Sequence, residues 1–115
     1  MTNETPRMSD DRLYLLLREE KIDEFNTLRE DGGEYDLSGL DFRGVDLQGI
    51  LTDGIDFSNA YFRQANLAGL NLSRCPMEGA SISGANISGT YFPKELSPGE
   101  IMLSLRTGAR LRYST

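Results

Sequence analysis

The apolar and polar residues of this chain recur with a period of five between Tyr35 and Lys94. Twelve consecutive units fill that stretch, namely YDLSG, LDFRG, VDLQG, ILTDG, IDFSN, AYFRQ, ANLAG, LNLSR, CPMEG, ASISG, ANISG and TYFPK. The third residue is Leu, Phe, Met or Ile in every unit except the one with Thr52, and the fifth is Gly in eight of the twelve. A period of five matches neither an α-helix nor a strand, so it predicts a coil that turns a corner at every unit.

Each unit combines a short extended segment with a turn. In extended backbone, residues two apart point to the same side, so the first and third side chains face inward and the second faces solvent. A Gly at the fifth position suits the positive φ that a type II turn requires. Four corners close a square, so twenty residues make one coil and the twelve units make three. Residues twenty apart are therefore expected to form interior layers, such as Leu37/Phe57/Met77 and Phe42/Phe62/Ile82.

The units resemble the pentapeptide-repeat family, whose consensus is A(D/N)LXX. Ala65-Asn66-Leu67 matches this consensus at every defined position. Other units match with a substituted first residue or centre: Tyr35-Asp36-Leu37, Leu40-Asp41-Phe42, Val45-Asp46-Leu47, Ile55-Asp56-Phe57 and Ala85-Asn86-Ile87. The resemblance covers 60 of the 115 residues. It implies a mainly β fold, a right-handed quadrilateral β-helix of three coils over residues 35–94.

The N-terminal segment, residues 1–34, predicts a tail and a helical cap for one open end of the coil. Ser9-Asp10-Asp11 is typical of a helix start with acids in the first turn. Two apolar stripes follow that are out of phase, which favours two short helices breaking near Glu19 to Lys21. These stripes are Leu13, Leu16 and Leu17, and then Ile22, Phe25 and Leu28. Gly32-Gly33 is expected to end the second helix and enter the first coil.

The C-terminal segment, residues 95–115, predicts a capping helix and a tail. Ser97-Pro98-Gly99-Glu100 reads as a capping box with Pro at the first helical position. Ile101, Leu103 and Leu105 and a stop at Gly108 indicate a helix of about ten residues. The tail from Ala109 to Thr115 shows no clear pattern. We expect all three segments to form a single structural domain, since 115 residues can bury one core.

Composition favours a cytoplasmic protein. No stretch reaches the length of a membrane span, and Met1 to Asp11 is polar and acidic, unlike a signal peptide. Cys75, the single cysteine, occupies an inward position. It is interpreted as a small buried hydrophobe, with a reactive thiol as the alternative.

The sequence predicts no catalytic, cofactor or metal site. It contains no His, and one Cys cannot form a zinc site. The aspartates at the second positions of units, Asp36, Asp41, Asp46 and Asp56, are expected to point outward and to stabilise turns. Metal binding is the alternative for these four carboxylates. We therefore expect a protein that is not an enzyme.

The leading functional prediction is a non-enzymatic adaptor or regulatory module that binds an unidentified protein. The most distinctive surface carries Asp41, Arg43, Tyr61 and Arg63, with Ser81 and Ser83 above them, and an ordinary polar surface is the alternative reading. Arg43 and Arg63 are expected to stack, and a charged pair beside an exposed Tyr suits protein contacts. A second candidate is the acidic face with Glu19, Glu20, Asp23 and Glu24, for which a solvated helix face is the alternative.

The family resemblance also suggests a DNA mimic that binds gyrase, a type II topoisomerase. Two features depart from that pattern. Three coils are shorter than one turn of duplex, and residues 35–94 contribute a net charge of only −2 to the total of −6. Direct nucleic-acid binding through Arg106, Arg110 and Arg112 is not expected, because arginines beyond a helix are more typical of a solvated helix end. Helical caps at both ends favour a monomer over an end-to-end dimer.

Overall fold

The computed structural model describes residues 11–29 and 33–114. The described residues contain three helices and two short strands: α1 Arg12–Arg18, α2 Ile22–Leu28, β1 Tyr35–Asp36, β2 Ile55–Asp56 and α3 Pro98–Thr107. None of these helices has the length and apolar character needed to cross a membrane.

Backbone pairing between residues 35 and 94 joins positions twenty apart. β1 and β2 are parallel, with Tyr35 opposite Ile55. Isolated parallel bridges repeat the same offset, at Asp41↔Tyr61, Asp46↔Asn66, Tyr61↔Ser81, Asn66↔Asn86 and Asn71↔Tyr91. The predicted stacking of each residue on the one twenty positions later is thus confirmed at these pairs. Strand content is lower than the mainly β expectation, because the chain leaves each ladder for a turn after one or two residues.

The corners follow from two features of each unit. Where the second residue is Asp or Asn, its side-chain oxygen accepts the backbone N–H two residues later, as in Asp36 with Ser38 at 2.8 Å and Asn66 with Ala68 at 3.1 Å. This contact stabilises the turn locally. The fifth residue adopts positive φ in ten of the twelve units, for example Gly39 at 71° and the non-glycine Gln64 at 58°, and Arg74 and Lys94 are the exceptions. The predicted positive φ is confirmed at all eight glycines, and Asn59 and Gln64 show that glycine is favoured there without being obligatory.

Aromatic rings run through the interior along the stacking direction. Phe42 and Phe62, twenty residues apart, stack with ring centroids 5.5 Å apart and an interplanar angle of 12°. Phe57 packs edge-on against both, at 5.8 and 5.2 Å. Tyr14 of α1 meets Phe42 edge-on at 5.4 Å, so the first helix continues the same core. Apolar burial across these rows supplies the main driving force for folding.

The two N-terminal helices break where the sequence predicts, between Arg18 and Ile22. Two details differ. Asp11 is the N-cap and accepts the Leu13 N–H at 2.9 Å, so the first turn of α1 contains no acid. Ser9 and Asp10 of the predicted start lie outside the described residues. Leu28, predicted within the second apolar stripe, is 48% exposed, because α2 ends there and buries Phe25 as its main contact with the core.

Helix α3 has the predicted length and ends. The Ser97 hydroxyl accepts the Glu100 N–H at 3.2 Å, and Gly108 closes the helix with φ 82°. The Glu100 carboxylate, however, accepts the Arg112 N–H at 3.1 Å. Leu103 is 42% exposed, because the buried side of α3 centres on Ser104.

The C-terminal tail extends the backbone ladder beyond residue 94. Gly79 donates its N–H to the Leu111 carbonyl at 2.7 Å, and Leu111 donates to the Ala80 carbonyl at 2.8 Å. Helix α3 provides a hydrogen-bond acceptor for a nearby backbone group of the repeats, because Ser104 Oγ accepts the Ile82 N–H at 3.1 Å. Leu111 is fully buried. The tail and α3 together supply hydrogen-bond partners for backbone groups at residues 79–82, which have no further row of repeats to pair with.

Cys75 is buried, as predicted, and this leads to a test of its reactivity. Its thiol lies against the Thr52 carbonyl at 3.3 Å, and burial above all raises the pKa of Cys75 from 9.0 to about 11. At pH 8 we expect native Cys75 to react with Ellman's reagent at least about a hundredfold more slowly than in the denatured chain, because the higher pKa alone lowers the thiolate fraction by about that factor. Reaction at similar rates in both states would contradict the burial.

Candidate functional site

The predicted surface residues lie on two adjacent rows. Asp41 pairs in parallel with Tyr61, and the Gly44 N–H donates to the Arg63 carbonyl at 2.9 Å. This pairing puts Arg43 and Arg63 at equivalent positions of neighbouring rows, about 4.8 Å apart along the stacking direction at the backbone. The structure therefore brings together all four residues that the sequence singled out.

Asp41 and Arg43 form a two-point ion pair. Arg43 Nε donates to Asp41 Oδ1 at 2.9 Å, and a terminal guanidinium nitrogen donates to Oδ2 at 2.8 Å. The hydrogen bonds from Arg43 hold the pKa of Asp41 below its usual value, although burial acts in the opposite direction. Asp41 is only 6% exposed, so the expectation that this carboxylate points into solvent is wrong. Its oxygens are covered because they bind Arg43, whose own side chain stays about half exposed (51%).

Helix α1 fixes the backbone beneath this ion pair. The Tyr14 hydroxyl donates to the Asp41 carbonyl at 2.8 Å in a buried contact. Arg18 donates to the carbonyls of Asp41 and Arg43, at 3.4 and 3.2 Å. Burial is the main cause that raises the pKa of the Tyr14 phenol, so this hydroxyl keeps its proton and can serve as a donor at neutral pH. Arg18 is thus a member of the surface that the sequence prediction missed.

Tyr61 is covered on one side by the C-terminal tail. The guanidinium of Arg110 lies 5.1 Å from the centre of the Tyr61 ring and donates a hydrogen bond to its hydroxyl. The same guanidinium donates to the Gly79 carbonyl at 2.8 Å. Tyr61 is half-buried, so the prediction of an exposed Tyr is wrong, and the reason is this contact with Arg110. The expectation that Arg110 belongs to a solvated helix end is also wrong, since it lies beyond α3 and against the repeats.

Two neighbouring grooves meet at Arg43 and Arg63. One has a volume of about 440 Å³ and also borders Tyr61, Ser83 and Arg110. The other has a volume of about 390 Å³ and also borders Arg18 and Asp41. We call the surface formed by Arg18, Arg43, Arg63 and Arg110 the arginine wall.

Arg63 differs from the other members of the arginine wall. Within the described part of the chain, its exposed side chain makes no hydrogen bond or ion pair. Arg18, Arg43 and Arg110 are each held by contacts to carbonyl, carboxylate or phenol oxygens. Arg63 therefore presents a guanidinium to solvent between three neighbours of fixed position.

Four of the remaining acidic candidates accept backbone hydrogen bonds. Asp36, Asp46 and Asp56 each accept the backbone N–H two residues later, which confirms the interpretation that they stabilise turns. Among the described residues, no three Asp, Glu, Cys or His side chains are grouped so as to hold a metal ion. On the predicted acidic face, Glu20 lies at the break between the helices and accepts the Asp46 N–H at 2.8 Å, while Asp23 and Glu24 are exposed on α2.

The comparison with known families identifies the repeats. Residues 55–92, about a third of the chain, match the family model for pentapeptide repeats in eight copies. Residues 55–92 are pentapeptide repeats. The matched stretch contains Tyr61 and Arg63, and the same pairing offset continues back to Tyr35 outside it. No curated protein and no solved structure gave a significant match.

Proposed function

We propose that this pentapeptide-repeat protein is a non-catalytic, cytoplasmic protein-interaction module that acts as an adaptor or regulatory subunit. In this proposal, residues 35–94 form a right-handed quadrilateral β-helix of three coils that serves as a rigid platform. Residues 1–34 and 95–115 close its two ends within a single domain, which favours a monomer. The partner is a protein that contacts the arginine wall.

The observation that carries this proposal is the fixed geometry of the wall. The Asp41 carboxylate binds Arg43, and the Arg43 carbonyl accepts a hydrogen bond from Arg18. Arg110 is held in the same way by the Gly79 carbonyl and the Tyr61 hydroxyl. Binding through side chains that are already ordered loses less conformational entropy than binding through free ones. Arg and Tyr are also the residue types enriched at the energetic centres of protein interfaces.

The gyrase-binding DNA mimic is the less favoured function. A mimic of duplex DNA needs an elongated anionic surface. The principal extents here are 35 × 31 × 23 Å, and the surface that borders the two grooves at Arg43 and Arg63 is cationic. These two observations support the choice of a protein-interaction module.

The proposal is tested by affinity capture with three forms of the protein. Wild type is compared with Arg63→Glu and with Arg74→Glu, which makes the same charge change at an exposed arginine bordering a different groove, beside Asp36 and Asp56. Arg63 is preferred to Arg43 for this purpose, because Arg43→Glu would place a second carboxylate against Asp41 and disturb the fold. We expect a specific protein to be retained from a lysate of the source organism by wild type and Arg74→Glu, and lost with Arg63→Glu.

Two further measurements give this test a clear outcome. Circular dichroism should show equal folding of all three forms. Quantitative mass spectrometry then compares the retained proteins, under several growth conditions. Recovery of nothing above background, or equal loss with both arginine variants, would count against the arginine wall as the interaction surface.

A further inference from the structure

The arginine wall runs along the stacking direction of the repeats. Arg18 lies at the α1 end, where it contacts the carbonyls of Asp41 and Arg43. Arg43 and Arg63 follow on successive rows, and Arg110 continues the series against Tyr61 and Gly79. Four guanidinium groups contributed by α1, two repeats and the tail thus form one column, and three of them are held by contacts within the protein.

This column is cationic on a protein that is acidic overall. Among the described residues, those bordering the two grooves include four arginines and a single acid, Asp41, which gives a formal charge of +3. The whole chain carries −6. Asp41 is occupied by Arg43, and Arg63 meets no acid among the described residues. Within the part of the chain that the structure describes, the charge of the wall is therefore compensated only in part, and the complementary ligand is an anion.

The chemistry of arginine indicates which kinds of anion the arginine wall can bind. A guanidinium binds a carboxylate or a phosphate through two parallel hydrogen bonds, and an ordered one loses little freedom in doing so. In an extended peptide, side chains two residues apart project from the same side about 6.6 Å apart, which is about 2 Å more than the spacing between rows. The long, exposed side chains of Arg43 and Arg63 can spread by this difference, so alternate acidic residues can meet successive arginines. From this match we infer that the arginine wall binds an extended acidic segment of the partner protein. The inference rests on the proposed interaction function and specifies what that surface recognises.

Single-stranded nucleic acid fits the wall less well, although it also carries regularly spaced anions. Such ligands gain affinity by stacking bases on exposed aromatic rings. Tyr61 is the aromatic residue bordering these grooves, and Arg110 already covers its ring at 5.1 Å.

Direct titration with synthetic peptides tests the inference. The probe is a fluorescent peptide of about twelve residues that alternates Glu with Ser and spans roughly 40 Å when extended. Fluorescence anisotropy is measured with wild type, Arg63→Glu and Arg74→Glu. We expect saturable binding to wild type with Kd below about 100 µM, a loss of at least about tenfold with Arg63→Glu, and a change of less than about twofold with Arg74→Glu. Raising the ionic strength should weaken binding.

Control measurements distinguish an acidic peptide from the other possible ligands of the arginine wall. Equal binding of a peptide with Gln in place of Glu, or stronger binding of oligothymidylate with the same number of charges, would overturn the inference. Self-association in sedimentation experiments that disappears with Arg63→Glu would also overturn it, since a second copy of the chain would then be the occupant. If a captured partner is lost with Arg63→Glu while the Glu peptide fails to bind, the interaction function survives and the acidic-segment inference fails.

Discussion

Replacing Phe42 with alanine is expected to lower the free energy of unfolding by about 3–5 kcal/mol. The Phe42 ring is fully buried and contacts the rings of Phe57, Phe62 and Tyr14 at centroid distances of 5.8, 5.5 and 5.4 Å. It therefore joins the repeats to α1 as well as one row to the next. Because the surrounding groups are held by the backbone ladder, the cavity left by alanine can collapse only in part, which places the cost in the upper range for such substitutions.

Phe92→Ala provides the matched control for this effect. Phe92 occupies the same third position of its unit but is only partly buried at the edge of the core. We expect its replacement to cost about 1–2 kcal/mol, in proportion to the smaller apolar area that it removes from water. Guanidinium unfolding followed by far-ultraviolet circular dichroism measures both values, since the chain contains no Trp. Equal losses for the two variants would show that the Phe42 cluster is not the centre of the core.

The interior could be predicted from the sequence because its contacts repeat the period. The stacking of Phe42 on Phe62 follows from one rule, an offset of twenty, that holds at every strand and bridge pair among the described repeat residues. The turn contacts could be predicted for the same reason, since each joins residues two positions apart within a unit. Local and periodic interactions leave a signal that can be counted along the chain.

The full arginine wall could not be predicted from the sequence, because its main contacts join the repeats to α1 and to the C-terminal tail. Arg110 contacts Tyr61 across 49 positions, and Arg18 contacts Asp41 across 23. No period relates either arginine to the units. The same contacts explain why Asp41 and Tyr61 are less exposed than their unit positions suggest. The only sequence signal was the cluster of arginines after α3, which fitted a solvated helix end equally well.

Replacing Gly54 with alanine is expected to destabilise the protein by about 3 kcal/mol or more. Gly54 has φ +80°, and a Cβ at this position would lie 2.2 Å from the backbone carbonyl oxygen of Gly33. The two segments are held at this distance by the Tyr35 N–H, which donates to the Gly54 carbonyl at 2.7 Å, and by Arg29, which donates to the carbonyls of Gly33 and Asp53. An alanine therefore adds a steric clash with backbone atoms to the ordinary cost of a left-handed conformation.

Gly69→Ala separates these two costs. Gly69 has φ +76°, close to that of Gly54, but a Cβ there would meet no atom within 4 Å. Alanine at position 69 should cost only about 1–2 kcal/mol, the penalty for positive φ in a residue with a side chain. Denaturant unfolding of the two variants measures the difference, which reports the close approach of the segment before β1 to the corner before β2. Equal destabilisation would mean that the chain at Gly33 moves aside freely, and that this end of the repeats is held together less tightly than its hydrogen bonds indicate.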